Sequence, residues 1–174
     1  ALNALHKALE PNRPKGANPF FIIRKDNLYS INPQAKIWWD VDLFEMLAER
    51  DDPGSLEEAF SMYKGEFLTD ALYEEWANSK RDQLRQAIIF VIDKLSILYL
   101  QKKDFDQVIR ECEILLKIDP TWEPAYRNLM HAYAGKENHA QISMVYQRLK
   151  NTLSEELGVK PSDTSEKLFL ELNI

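Results

Sequence analysis

The feature that most constrains this chain is a self-similarity at a spacing of 34 residues, which sets Ile92, Leu95 and Tyr99 on Tyr126, Leu129 and Tyr133. The same shift sets Val108, Cys112 and Leu115 on Ile142, Tyr146 and Leu149. A fixed period of this length marks a chain built from one recurring supersecondary unit. Within each copy the apolar residues recur at helical spacing, so the unit is a pair of helices. The spacing predicts helices over about 87–102 and 105–117, then 123–134 and 139–156. Neither pair can bury its apolar stripe alone, so each stacks on the next and the period equals one hairpin. Leu95 and Tyr99 are expected to fill the seam within a pair, and Val108 and Cys112 to face the neighbouring pair.

Asp119-Pro120 falls where a tetratricopeptide repeat carries its closing proline. The fold class that follows is all-α, with TPR-like stacked helical hairpins. Several positions that are small in that repeat carry Ser96, Cys112, Met130 and Tyr146, so the copies have drifted. A plain helical bundle is the simpler alternative. Upstream, Asp42 is expected to cap a helix reaching about Arg50, with Leu43, Phe44 and Leu47 on one face. Asp51-Asp52-Pro53-Gly54 should break it. Ser55-Leu56-Glu57-Glu58 has the form of a capping box opening a helix that ends at Lys64-Gly65. A long helix is then expected from about Tyr73 to Lys102.

The first part of the chain differs in kind. Leu2, Leu5 and Leu9 have helical spacing with no capping residue before them, as expected of a fragment that begins inside a longer protein. Pro11, Pro14, Gly16 and Pro19 end this helix. Phe20–Ile23 and Leu28–Ile31, separated by Arg24-Lys25-Asp26-Asn27, predict a β-hairpin, closed by Asn32-Pro33. Residues 1–37 hold six Lys or Arg (Lys7, Arg13, Lys15, Arg24, Lys25, Lys36) against Glu10 and Asp26, hence +4. The whole chain carries −6, so the remainder carries −6 − 4 = −10. A basic piece joined to an acidic body suggests different partners, because only the former can approach a nucleic-acid backbone.

Catalytic chemistry is not expected. His6, His131 and His139 are the obvious general bases, and none belongs to an HExxH pattern. With five glycines and no cluster of them, a phosphate cradle has nothing to be built from. Adjacent acids such as Glu74-Glu75 and Glu155-Glu156 point in different directions on a helix and make poor catalytic pairs. The lone Cys112 forms neither an internal disulfide nor a zinc site, which fits a reducing, cytoplasmic setting. Neither a membrane-length apolar run nor a signal peptide is apparent, and no cofactor or metal is expected. The expected working surface is the concave face made by the first helix of each pair. It carries Phe90, Asp93, Ile97 and Leu100 from one hairpin and Arg127 and His131 from the next. Such a mixed groove suits a helix or extended peptide of a partner. A clamp for acidic peptide termini would need several Lys and Asn there, where Asp93 and Ile97 stand.

Particular strings then resemble one family: the bacterial transcriptional activator domain of regulators of the Streptomyces-antibiotic-regulatory-protein type. Asp42-Leu43-Phe44 is similar to its opening, and Ala59 to Leu68 resembles its A-x-x-x-Y-x-G-x-F-L segment. Trp76, Arg81 and Leu84 match its W-x(4)-R-x-x-L helix. Asp119-Pro120 with Glu123, Arg127, Leu129 and Met130 is similar to its second repeat, and Glu156–Ser162 to its closing E-L-G-V-x-P-S. The order and spacing of these strings are more specific than any one of them. In that family the domain follows an OmpR-type winged helix. The resemblance therefore implies that residues 1–37 are the end of a winged-helix DNA-binding domain and 38–174 the TPR-like activator domain. Leu5–Leu9 would end the recognition helix and Ile22–Ile31 would be the wing, with His6 in place of the usual arginine and Asp26-Asn27 in place of a glycine-bearing turn. Arg24, Lys25, Asn27 and Lys7 would then be DNA-backbone contacts, which position rather than specify. Most of the DNA-reading unit would lie upstream of Ala1, so this chain by itself is expected to bind no operator. The implied function is a non-catalytic regulatory arm that couples DNA binding to self-association, to a regulatory domain or to RNA polymerase. Readings outside transcription are a generic TPR scaffold and a small-molecule sensor with a pocket near Trp76, Arg127 and His131.

Overall fold

In the computed structural model, which describes residues 2–71 and 73–172, the chain divides between Trp39 and Asp40 into two units. The first unit contains helix α1 (Leu2–Leu9) and the antiparallel strands β1 (Ile22–Lys25) and β2 (Leu28–Ile31), with Ile22 opposite Ile31 and Lys25 opposite Leu28. The turn is shorter than the predicted four residues, because Arg24 and Lys25 continue the strand. Only Asp26 and Asn27 turn the chain, at φ +51° and +63°. This is the two-residue geometry that follows the right-handed twist of a hairpin, and Asp and Asn tolerate it better than most residues. Glu10, just past α1, accepts hydrogen bonds from the N–H groups of Phe20 (2.8 Å) and Phe21 (3.1 Å) and so pins the strand to the helix end.

The second unit is a stack of helices with no strands among its described residues. It holds α2 (Asp40–Ala48), α3 (Pro53–Met62), α4 (Asn78–Gln101), α5 (Phe105–Ile118), α6 (Glu123–Gly135), α7 (His139–Leu157) and α8 (Asp163–Leu172). Helix α2 pairs with α3, α4 with α5 and α6 with α7, while α2, α4, α6 and α8 lie side by side in that order. The fold is all-α and TPR-like, with the small hairpin of the first unit appended. The predicted helix pairs are present, and Ile92, Leu95, Val108 and Leu115 are buried together with their repeat mates Tyr126, Leu129, Ile142 and Leu149.

A further hairpin, α2/α3, stacks before the two that the period revealed. It escaped the 34-residue shift because residues 63–77 join α3 to α4, whereas only residues 119–122 make the equivalent connection from α5 to α6. The long helix starts at Asn78 rather than near Tyr73, since Glu75–Ala77 forms a separate 3₁₀ turn. Helix α2 begins at Asp40, which puts the expected cap Asp42 inside its first turn. Nor does Ser55 cap α3. Asp52 does so, accepting the Ser55 N–H at 2.9 Å, with Pro53 in the first helical position where its missing N–H costs nothing. Tyr99 reaches beyond its own hairpin: its hydroxyl donates to Glu57 of α3 at 3.2 Å.

Candidate interaction surface

Helix α4 presents Phe90, Asp93 and Ile97 along one stripe, at the three- and four-residue steps that share a helix face. Phe90 is 51% exposed and Ile97 43% exposed, values that stand out beside the buried Ile88, Ile89, Ile92 and Leu95 of the same helix. Trp122, the residue before α6, organises this spot. Its ring meets Phe90 edge-on at 5.7 Å and its indole N–H donates to Asp93 Oδ1 at 3.3 Å. Between α2 and α4 lies an open depression lined by Glu45, Ala48, Glu49, Ala87, Phe90 and Lys94. Lys80 holds Glu45 through both carboxylate oxygens (2.7 and 2.8 Å), and Lys94 pairs with Asp51. Burial raises the Asp93 carboxyl above its ordinary value, opposed by the Trp122 hydrogen bond and the charge of Arg127.

The corresponding part of α6 is used differently. Glu123, in the first turn of α6, accepts from the hydroxyls of Ser162 (2.7 Å) and Ser165 (2.6 Å) and from the Ser162 N–H. Arg127 donates to Ser165 Oγ at 3.0 Å. These contacts staple α8 onto α6, and Phe169 of α8 stacks on Tyr146 of α7 at 4.1 Å. Burial works against ionisation of Glu123, but the serine hydrogen bonds and Arg127 together hold its carboxyl below the usual glutamate value. His131 is exposed on α6; partial desolvation and Arg127 lower its pKa, and Glu171 of α8 opposes them. The six residues of the expected face therefore divide: Phe90, Asp93 and Ile97 belong to an open half, Leu100 is half-buried, and Arg127 and His131 lie toward α8. Trp76 is 69% exposed ahead of α4, and the depression reaches neither it nor Arg127 nor His131.

Two of the sequence strings have direct structural causes. After α3 the chain passes Gly65 at φ +136° and Leu68 at φ +53°, the first a conformation that only glycine adopts freely. Arg81 of α4 fixes that bend from beneath, its Nε donating to the Phe67 carbonyl at 2.9 Å while Nη1 reaches Asn78. At the end of α7, Gly158 takes φ +67° and caps the helix, with the N–H groups of Gly158 and Val159 returning to Ser154 and Leu153. That turn delivers Ser162 to Glu123. The family pattern of the bacterial transcriptional activator domain matches residues 45–172.

The chain belongs to this family. It is also similar to the transcriptional regulatory protein MoaR1 of Mycobacterium tuberculosis, with 30% identity over 114 residues, 66% of this chain and 37% of the relative. The MoaR1 of Mycobacterium bovis is 39% identical over 64 residues, 37% of this chain and 21% of that protein. The chain thus spans well under half the length of either relative. As an activator domain it carries the family strings at the bend after α3, at Arg81 and at the α7–α8 turn, the places where the backbone most needs them.

In the first unit, Arg24, Lys25 and Asn27 gather at the hairpin tip, all exposed, and Lys7 is exposed on the last turn of α1. Arg24 is partly engaged, donating to Asn27 Oδ1 and lying 5.8 Å from the Tyr29 ring centre. His6 is buried, with Nδ1 lacking a partner. Among the described residues no cluster of three His, Cys, Asp or Glu is placed to hold a metal, and no helix is long and apolar enough to cross a membrane. Sequence reasoning missed Trp122, Glu45 and Glu49. Trp122 sits 29 residues from Asp93, and only its place after Asp119-Pro120, at the mouth of a first-of-pair helix, hinted at the concave face.

Proposed function

We propose that this activator domain is the non-catalytic coupling arm of a cytoplasmic DNA-binding transcription regulator, and that it works through the concave face. The reading assigns residues 1–37 to the end of a winged helix, with α1 as the tail of its recognition helix and β1–β2 as its wing. Lys7, Arg24, Lys25 and Asn27 then touch DNA phosphates and position the protein without reading sequence. The helical unit links that binding to a protein partner: RNA polymerase, the regulator's own regulatory domain or a second copy.

The observation that carries this reading is the open stripe of Phe90, Asp93 and Ile97. On a helix that buries Ile88, Ile89, Ile92 and Leu95, Phe90 and Ile97 stay about half exposed, Phe90 beside a depression on the face where such stacks receive partners. The family supplies the transcriptional context. The test places positive charge on the apolar part of the stripe, Phe90→Lys with Ile97→Lys, in the regulator that contains this chain. Operator binding is expected to persist while promoter output falls at least tenfold; unchanged output with the protein folded would overturn the reading.

A further inference from the structure

The chemistry of the open half points to a particular kind of partner. Its small residues Ala48 and Ala87 leave room between α2 and α4, and the exposed ring of Phe90 faces that room. Two carboxylates flank the ring. Glu49 lines the same depression, and Asp93 lies one turn further along α4. Asp93 engages Trp122 through Oδ1 alone, and Glu49 is exposed. The surrounding cations are directed elsewhere: Lys80 to Glu45, Lys94 to Asp51, and Arg127 to Ser165 and Glu123. Asp93 is half-buried with less compensation than its charge requires, as the upward displacement of its carboxyl by burial indicates. The residues after Ile37 carry −10 in net charge, obtained from −6 for the chain and +4 for residues 1–37.

A carboxylate beside an exposed aromatic ring is complementary to a guanidinium or ammonium group. Such a cation gains a charge-assisted hydrogen bond and a contact with the ring face together. Roughly 10 Å further along α4, at 1.5 Å per residue, Ile97 offers a separate apolar foothold. We propose that the groove between α2 and α4 receives a basic peptide segment of a partner protein. One Arg or Lys side chain lies over Phe90, flanked by Asp93 and Glu49, and a nearby apolar side chain of the same segment packs on Ile97. Arginine suits the site better than lysine, since its planar head stacks and bonds at once. This deepens the reading of the concave face as a partner surface and rests on it.

The test uses the full chain and a set of labelled helical peptides with a common Leu anchor and Arg, Lys, Gln or Glu at the flanking positions, followed by fluorescence anisotropy. The Arg peptides are expected to bind most tightly, with Gln and Glu versions at least tenfold weaker and added salt weakening the Arg complexes. Asp93→Asn with Glu49→Gln should weaken the Arg peptides about tenfold while leaving the melting temperature unchanged. Equal binding of Arg and Glu peptides, or no effect of the double variant, overturns the basic partner. If Phe90→Ala still weakens those complexes, the groove reading survives that failure. Absence of binding by every peptide overturns both.

Discussion

Helices α4 and α6 are repeat-equivalent and treat their polar groups in opposite ways. On α6, Glu123 is held by Ser162 and Ser165 and Arg127 by Ser165, and the chain itself supplies the covering helix α8. On α4, the stripe of Phe90, Asp93 and Ile97 stays open beside α2. The difference teaches that a drifted repeat can be closed from within at one end and remain available at the other. Closure is bought with hydrogen bonds that fix geometry, whereas the open half retains apolar surface and an under-compensated carboxylate.

Both halves rest on one core, so the largest effect is expected where that core is cut. Leu129→Ala, at a position with no exposure, should cost about 2–5 kcal/mol in chemical denaturation, and a cost near zero would show that the hairpins do not share a packed seam. The closed half comes next. Glu123→Gln weakens the acceptor for Ser162, Ser165 and Arg127 and should cost about 1–2 kcal/mol, with faster amide exchange confined mainly to α8.

The pH dependence of that staple has a definite sign. The folded-state pKa of Glu123 lies below its ordinary 4.5, so its contribution is present above that value and is lost as pH falls through the lowered folded one. Protection of α8 should therefore decline in acid below about pH 4.5 in the wild type and be flatter in Glu123→Gln. Smaller again is Gly158→Ala, which forces a left-handed cap onto a residue with a side chain and should cost about 1 kcal/mol. Its effect on α8 tests whether the α7–α8 turn delivers Ser162. Least of all, Phe90→Ala and Ile97→Ala should each cost under about 1 kcal/mol, because about half of each side chain is already in water and Phe90 gives up one edge contact with Trp122.

Much of this was legible before the structure. The 34-residue shift found four helices and their buried mates because Ile92/Tyr126 and Leu95/Leu129 repeat a local rule. The hairpin was legible for the same reason, with Asp26-Asn27 suited to a tight turn. What stayed hidden was long-range. The α2/α3 hairpin lies out of register because of the long bend held by Arg81, and nothing in local spacing joins Glu123 to a serine 39 residues away. At the start of α3, Asp52 and Ser55 compete as caps within one turn, and Pro53 decides in favour of Asp52. Phe90, Asp93 and Ile97 were found as a stripe, but their separation from Arg127 depends on where α8 lands.

The most direct measurement pairs melting temperature with promoter output for Phe90→Ala and Glu123→Gln in the intact regulator. If the open half is the partner surface, Phe90→Ala stays folded at the assay temperature and loses output, while Glu123→Gln loosens α8 and keeps output at temperatures where it is folded. Wild-type output from a fully folded Phe90→Ala regulator would contradict that assignment.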